Sequence, residues 1–171
     1  MISSFYGSRV ANRSQVPLIN HIDEGMVILS GISATEYSMR AYCIHPMIQN
    51  DEDLKQNYQN IFNSCDAYIV ALAMEYRSVA NEFLSQKIGT TDYIRTSPLF
   101  EVNDMLIADK VQNRKDFITY HRETHARAKE LDNYFRLWLR ALNVSEETYE
   151  TLCMKIDSFK VLPWTKKHSI F

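Results

Sequence analysis

Glycine and proline are scarce in this chain, with four of each among 171 residues. Because both residues interrupt regular structure and supply many tight turns, their scarcity favours long helices with few connections. Cysteine is also rare: Cys43, Cys65 and Cys153 are an odd number without a CxxC spacing. The sequence therefore indicates neither a disulfide framework nor a cysteine zinc site, and we expect free thiols in a reducing cytoplasm.

The chain also lacks an excess of one charge and a long apolar run. Its formal net charge is −2, which gives no general reason for binding nucleic acid or an acidic membrane surface. The first residues, MISSFYGSRVANRSQ, contain no apolar signal-peptide core, and no apolar run approaches the length of a membrane span. We expect a cytoplasmic protein with no nucleic-acid or membrane partner, and homo-oligomerisation stays open.

Apolar residues instead recur at helical spacing along most of the chain. One such set, near the amino terminus, comprises Leu18, Ile22, Met26 and Leu29. No run shows the strict alternation typical of a strand, and 20.0 kDa with 46% hydrophobic residues suits one domain with its own core. The pattern predicts an all-α, single-domain helical bundle over residues 17–157, after an extended segment at 1–16 and before a tail at 158–171.

Local signals predict where several helices end. Ser33 followed by Glu36 forms a capping-box pattern, so a helix is expected to begin there. Pro46 should end or kink that helix, because proline lacks an N–H and crowds the preceding turn. Further helices are predicted at 53–86 (with an internal kink or break), from Pro98 towards Phe117, at 121–142 and from Ser145, with a loop at 89–91.

Three segments combine polar residues with helical patterns: VPLINH (16–21), CIHPMIQND (43–51) and SPLFEVNDMLIADKVQNRKDF (97–117). In this order and spacing they resemble the HD-domain metal-dependent phosphohydrolases, and they look most like the branch that hydrolyses the alarmone (p)ppGpp. That family reads P-Y-I-x-H, then L-L-H-D-x-x-E-D, then L-A-D-K-L-x-N-L-R-D. The resemblance covers most of residues 13–117 and implies a single HD-domain-like helical fold.

The resemblance also implies a set of site residues. His21, His45 and Asp109 fall on positions where the family binds its metal ion. Asn113 falls one helical turn beyond Asp109 and on the same face. Arg13, ahead of VPLINH, falls near a position where the family carries a basic residue that faces the substrate.

The second motif departs from the family pattern at three positions. Pro46 replaces the aspartate of the HD pair, so one metal ligand is missing. Gln49 and Asn50 replace the glutamate and aspartate that the family uses around the attacking water, and amides do not accept a proton at neutral pH. Two histidines and one aspartate can still hold zinc, so we expect either no metal or a weakly bound Mn, Fe or Zn ion.

Other acids are candidates to replace the missing ones. Asp23 and Glu24 follow His21 by two and three residues, and a third group lies at 51–53. A shift of one or two positions re-aims a helical side chain by about 100° per residue, which weakens the second option. Residues 51–53 are better explained as acids that stabilise the amino terminus of the next helix.

Basic residues and histidines elsewhere extend the list of candidates. Arg77 and Lys110 are possible phosphate partners, although Arg77 has the alternative of pairing with an acid. His121 and His125 stand four residues apart in YHRETHAR. Glu123 is misplaced for a zinc-protease motif, so the pair is interpreted as a solvated helix face or a polar rim of the pocket.

Three functional hypotheses stay open at the level of the sequence. The first is a degenerate HD-domain protein that binds a nucleotide or another phosphorylated small molecule, with hydrolysis weakened or lost. The second is an active metal-dependent nucleotide phosphohydrolase of the (p)ppGpp-hydrolase type, whose acid comes from a rearranged position. The third is an interaction scaffold without catalysis, in which the pocket is a relic.

Overall fold

The computed structural model describes residues 2–11, 14–83 and 93–161, and these ranges form an all-α bundle. Within them the only β-type pairing is an isolated bridge between Val10 and Pro17. The α-helices of the described ranges are α1 (Ile2–Tyr6), α2 (Asn20–Gly31), α3 (Glu36–Ile44), α4 (Asp51–Ser64), α5 (Ala67–Glu82), α6 (Phe100–Asp116), α7 (Ala128–Ala141) and α8 (Glu146–Val161).

Helix α6 lies at the centre of the bundle and packs against α2, α3, α5, α7 and α8. Its buried apolar residues are Val102, Met105, Leu106, Ala108 and Val111. The same helix also buries charged residues, namely Glu101, Asp109, Lys110, Arg114 and Lys115. Because a buried charge is costly unless it is paired, the partners of these side chains define a polar interior around α6.

Both predicted interruptions are present, the one at Pro46 at the expected residue and the one within 53–86 at a position that the sequence did not specify. Helix α3 ends at Ile44, and one turn of 3₁₀ helix follows at His45–Met47 with Pro46 in its first positions. The long predicted helix is broken after Ser64, and α5 starts anew behind Asp66, whose carboxylate accepts the N–H of Tyr68 at 2.8 Å.

Other local predictions need correction. Thr35, and not Ser33, caps α3: its hydroxyl accepts the N–H of Ser38 at 3.1 Å, while Ser33 has a φ of 58° in the preceding turn. The predicted helix at 121–142 is wrong in its first part, because a π-helical turn and irregular turns precede α7. Helix α6 begins two residues after Pro98.

The ends of the chain also differ from the sequence-based outline. The segment predicted as extended at 1–16 contains helix α1, and α8 continues through 158–161 into the predicted tail. The predicted loop at 89–91 and residues 162–171 lie outside the described residues. Across the described helices, none is both long enough and apolar enough to cross a membrane.

Gly25 allows α2 and α3 to approach closely. A Cβ atom at this position would overlap the ring of Tyr42, which is fully buried. We expect Gly25→Ala to lower the free energy of unfolding by about 1–3 kcal/mol, the usual cost of overpacking. Urea denaturation measures the change, and Gly31→Ala is the control because its Cβ would meet only side-chain atoms at 3.0 Å and beyond. Equal stability of Gly25→Ala and wild type would contradict the close approach.

Candidate metal centre and cavity

Three polar residues from different parts of the chain converge beside α6. His21 lies on α2, His45 starts the 3₁₀ turn, and Asp109 lies midway along α6. The Nε2 atoms of the two histidines are 3.3 Å apart, and His21 Nε2 lies 3.7 Å from Asp109 Oδ1. One donor atom from each of the three residues therefore falls within 4.8 Å of the others, the geometry of a group that can hold a metal ion.

The proton of His45 is placed by its backbone neighbour. Its Nδ1 lies 2.6 Å from the carbonyl oxygen of Tyr42, and a carbonyl can only accept a hydrogen bond. Burial, with the facing His21 ring adding to it, lowers the pKa of His45 to about 3. His45 is therefore neutral at neutral pH, with its proton on Nδ1 and a lone pair on Nε2 that points at His21.

The orientation of His21 is fixed through Gln112. The side-chain nitrogen of Gln112 donates to Glu24 at 3.2 Å and to Asp116 at 2.7 Å, so its oxygen faces His21. That oxygen accepts from His21 Nδ1 at 2.8 Å, which leaves the lone pair of neutral His21 on Nε2. Two imidazole lone pairs and a carboxylate oxygen thus face one another.

This arrangement fits a divalent metal ion. Tetrahedral ligands at the usual Zn–N distance lie roughly 3.3 Å apart, close to the observed separation of the Nε2 atoms. Metal-binding histidines commonly donate their second N–H to a carbonyl oxygen, as both rings do here. Two histidines and one carboxylate would leave a coordination position open for water or a ligand, as in catalytic zinc sites.

Asp109 is charged and is held by two neighbours. Its Oδ2 accepts from Lys110 at 2.8 Å and its Oδ1 accepts from Asn113 at 2.8 Å. Burial alone would raise the pKa of Asp109, but the adjacent ammonium of Lys110 and the rings of His21 and His45 together outweigh it and lower the pKa to about 2. Lys110 is itself buried below the rings of Tyr134 and Trp138. The ion pair of Asp109 and Lys110 is therefore neutral overall.

A cavity of about 960 Å³ opens from this centre. This volume is at the upper end of the range for small-molecule sites. Its walls come from the amino-terminal segment, α2, the 3₁₀ turn, α5, α6 and α7. The polar residues among its lining include His21, His45, Gln49, Asn50, Asp53, Asp109, Lys110, Gln112, Asn113, Asp116, His121, His125, Arg127 and Glu130.

The side-chain amides of Gln49 and Asn50 lie at this cavity but are used structurally. Asn50 caps α4, where its side-chain oxygen accepts the N–H of Asp53 at 2.8 Å, and residues 51–53 supply the predicted acids of the first turn. Gln49 donates to Asn81 Oδ1 at 2.6 Å, and Asn81 donates back to the Gln49 carbonyl at 2.9 Å. Neither side chain contacts the three-residue centre.

Other residues that the sequence suggested for the site do not line the cavity or lie outside the described residues. Glu24 is buried among Lys115, Lys160 and Gln112, and Asp23 is exposed on α2; neither lines the cavity. Arg77 also lies outside the lining and is paired with Asp51, the second option that the sequence left for it. The expectation for Arg13 lies outside the described residues.

Two residues of the site were missed by the sequence analysis. Gln112 orients His21, and the hydroxyl of Tyr42 lies 3.2 Å from His21 Nε2. Gln112 follows Asp109 by three residues on the same helix face, a spacing that could have indicated it. Tyr42 is part of an apolar pattern on α3, and nothing in that pattern distinguishes it from a core tyrosine.

Comparison with known proteins adds no family to this description. No protein-family model, no curated protein and no solved structure matches the chain. The fold and the centre define an all-α bundle in which a His–His–Asp cluster, buried at His45 and Asp109 and partly buried at His21, lines a cavity.

Proposed function

We propose that this chain is a degenerate HD-domain-like protein that binds a nucleotide or another phosphorylated small molecule in its cavity, with hydrolysis weakened or lost. His21, His45 and Asp109 would hold a divalent metal ion, which would supply a Lewis acid for a phosphoryl oxygen. The observation that carries the proposal is the fixed orientation of both imidazole rings, whose lone pairs meet beside Asp109 at the base of the cavity.

The charges of the cavity explain why a metal and a phosphate would bind together. Its described lining contains four carboxylates (Asp53, Asp109, Asp116 and Glu130) and two permanent cations (Lys110 and Arg127). Lys110 already neutralises Asp109 at 2.8 Å. Asp116 and Glu130 are likewise paired with Lys115 and Arg127. The metal-free cavity therefore offers a polyphosphate no excess of positive charge, and a divalent ion at the centre would supply it.

The hydrogen bonds around the cavity explain why hydrolysis is weak in this proposal. General-base catalysis needs a proton acceptor within reach of the attacking water. Asp116 accepts from Gln112 and Lys115, Asp53 accepts from Asn50, and Glu130 accepts from Arg127. The acids that line the cavity beside Asp109 are thus committed to structural partners.

A thermal-shift experiment tests the proposal. Nucleoside triphosphates added to protein loaded with Mn²⁺ or Zn²⁺ are expected to raise the melting temperature, since a ligand at 100 times its Kd adds about 2.7 kcal/mol of stability. Metal-free protein should respond much less, because no divalent ion is then present to bind the phosphoryl oxygens. Phosphate release by the loaded protein should stay close to background.

Two variants sharpen this test. Asn113→Ala removes a hydrogen bond to Asp109 and should weaken the metal-dependent shift, whereas Arg77→Gln lies outside the cavity and should leave it unchanged. The absence of any shift with metal and nucleotide together would contradict the proposed function and favour the interaction scaffold. Turnover well above background would instead favour the active hydrolase.

A further inference from the structure

A π-helical turn follows α6 and changes which residue faces the cavity. The turn spans Phe117–His121, and the N–H of Arg122 donates to the Phe117 carbonyl at 2.8 Å, five residues back. A π turn contains about one residue more than an α-helical turn, so His121 is rotated back towards the face that carries Asp109 and Asn113. Such single turns are frequent at functional sites.

His121 carries a buried side-chain nitrogen that the described part of the chain leaves unsatisfied. Its Nδ1 is buried and has no hydrogen-bond partner among the described residues, while the residue belongs to the cavity lining. Most buried polar atoms in folded proteins are paired, so an exception at the wall of a cavity indicates a position for a ligand atom.

Two further donors follow in the turn before α7. His125 Nδ1 accepts the backbone N–H of Arg127 at 3.1 Å, which places the proton of neutral His125 on Nε2. Arg127 donates through Nε to Glu130 at 2.8 Å, and its two terminal nitrogens carry four additional N–H groups. His125 and Arg127 line the same cavity as the metal centre. We call His121, His125 and Arg127 the rim cluster.

We infer that the rim cluster binds a second anionic group of the ligand, a phosphoryl or carboxylate group, while the metal centre binds the first. This inference rests on the proposed function. A guanidinium with imidazole donors suits an oxyanion, and charge-assisted hydrogen bonds of this kind are the stronger ones in proteins. A cavity of about 960 Å³ also exceeds what a single phosphate needs. The ligand class is therefore a molecule with two separated anionic groups.

The test compares two inorganic probes on metal-loaded protein by calorimetry. Phosphate offers one anionic group, whereas tripolyphosphate offers a second one for the rim cluster when the first is held at the metal centre. His121→Ala and Arg127→Gln are each expected to weaken tripolyphosphate binding about tenfold and to leave phosphate binding within about twofold. Arg122→Gln is the matched control, because Arg122 is exposed in the same turn but does not line the cavity.

The outcomes separate this inference from the proposed function. If neither probe binds the metal-loaded wild-type protein, the proposed function and the inference about the rim cluster are both contradicted. Phosphate binding without a gain for tripolyphosphate, or equal losses in Arg122→Gln and Arg127→Gln, overturns the rim cluster alone. Because Arg127 is exposed, its variant tests the inference even if His121→Ala does not fold. Citrate, tested in parallel, distinguishes carboxylate from phosphoryl recognition at the rim.

Discussion

Metal-free protein is expected to bind one equivalent of Zn²⁺, and Gln112→Met is expected to weaken that binding about 10- to 100-fold. Gln112 contacts no metal in this arrangement; it fixes the ring of His21 through the 2.8 Å bond to Nδ1. Methionine keeps the approximate volume but cannot accept that hydrogen bond. The ring of His21 would then be free to rotate, and its Nε2 lone pair would no longer be held beside His45 and Asp109.

Competition titration against a chromophoric chelator measures this affinity. His45→Ala provides the reference for loss of a ligand and should abolish stoichiometric binding. Gln59→Met on the exposed face of α4 is a matched control for the substitution itself and should bind zinc like the wild type. If Gln112→Met and wild type bind zinc equally, Gln112 does not position His21 for a metal.

A competing explanation for the cluster is a proton in place of a metal. Protonated His21 would donate from Nε2 to His45 or to Asp109, which lie 3.3 Å and 3.7 Å away. Such a bridge would satisfy the same lone pairs, and the centre would be a buried structural network. In that case zinc would not bind stoichiometrically to any of these variants, so the same titration decides between the two explanations.

The fold class followed from the sequence because its causes are local and repeated. Helical spacing of apolar residues extends over many turns, and Pro46 acts through its own ring and missing N–H wherever it stands. The break between α4 and α5 was expected from length alone. Its position depends on Asp66, whose capping bond could not be distinguished in advance from that of any other polar residue in the segment.

The candidate site was less predictable than the fold. The motif order placed His21, His45 and Asp109 together, and the structure brings them within one cluster. Arg77 and Asn50 were predicted to belong to the site because of their side-chain chemistry. Each has a stronger local partner, which is Asp51 for Arg77 and the first turn of α4 for Asn50. Such competition depends on distances that only the packed structure supplies.

The π turn before His121 was beyond the sequence analysis for a related reason. Residues 117–121 are β-branched or aromatic and have lower helical propensities than alanine or leucine, but low propensity does not specify a widened turn. The turn forms where α6 leaves the centre of the bundle and the chain must reach α7, which is a property of tertiary packing. A residue interpreted from its spacing as a solvated face or rim therefore lies at the cavity wall.

The second large effect that we expect is a loss of stability when Glu24 is substituted. Its carboxylate is buried and lies 2.5 Å from the ammonium of Lys115 and 2.7 Å from that of Lys160. Removing one partner of a buried ion pair leaves the other charge uncompensated, at a cost of about 3–5 kcal/mol. We expect Glu24→Met to lie near 3 kcal/mol, because Asp116 still pairs with Lys115 and Lys160 is partly exposed.

Urea denaturation at neutral pH measures this loss, and two further variants define its origin. Glu36→Met removes an exposed acid at the start of α3 and should change stability by less than about 1 kcal/mol. The double variant Glu24→Met/Lys115→Met should recover part of the loss, because the buried ammonium of Lys115 is removed together with its partner and Asp116 still accepts from Gln112. A double variant no more stable than Glu24→Met would point to lost packing rather than to the ion pair.

The pH dependence gives an independent check on the same residue. Burial would raise the pKa of Glu24, but hydrogen bonds from Lys115 and Lys160 outweigh it and hold the pKa below the ordinary glutamate value. A depressed folded-state pKa contributes stability above the unfolded-state pKa of about 4.3 and loses it as pH falls through the folded-state value. The stability difference between wild type and Glu24→Met should therefore be constant near neutral pH and shrink below about pH 4. A difference that stays unchanged as the pH is lowered through this range would show that Glu24 does not stabilise the fold as a carboxylate.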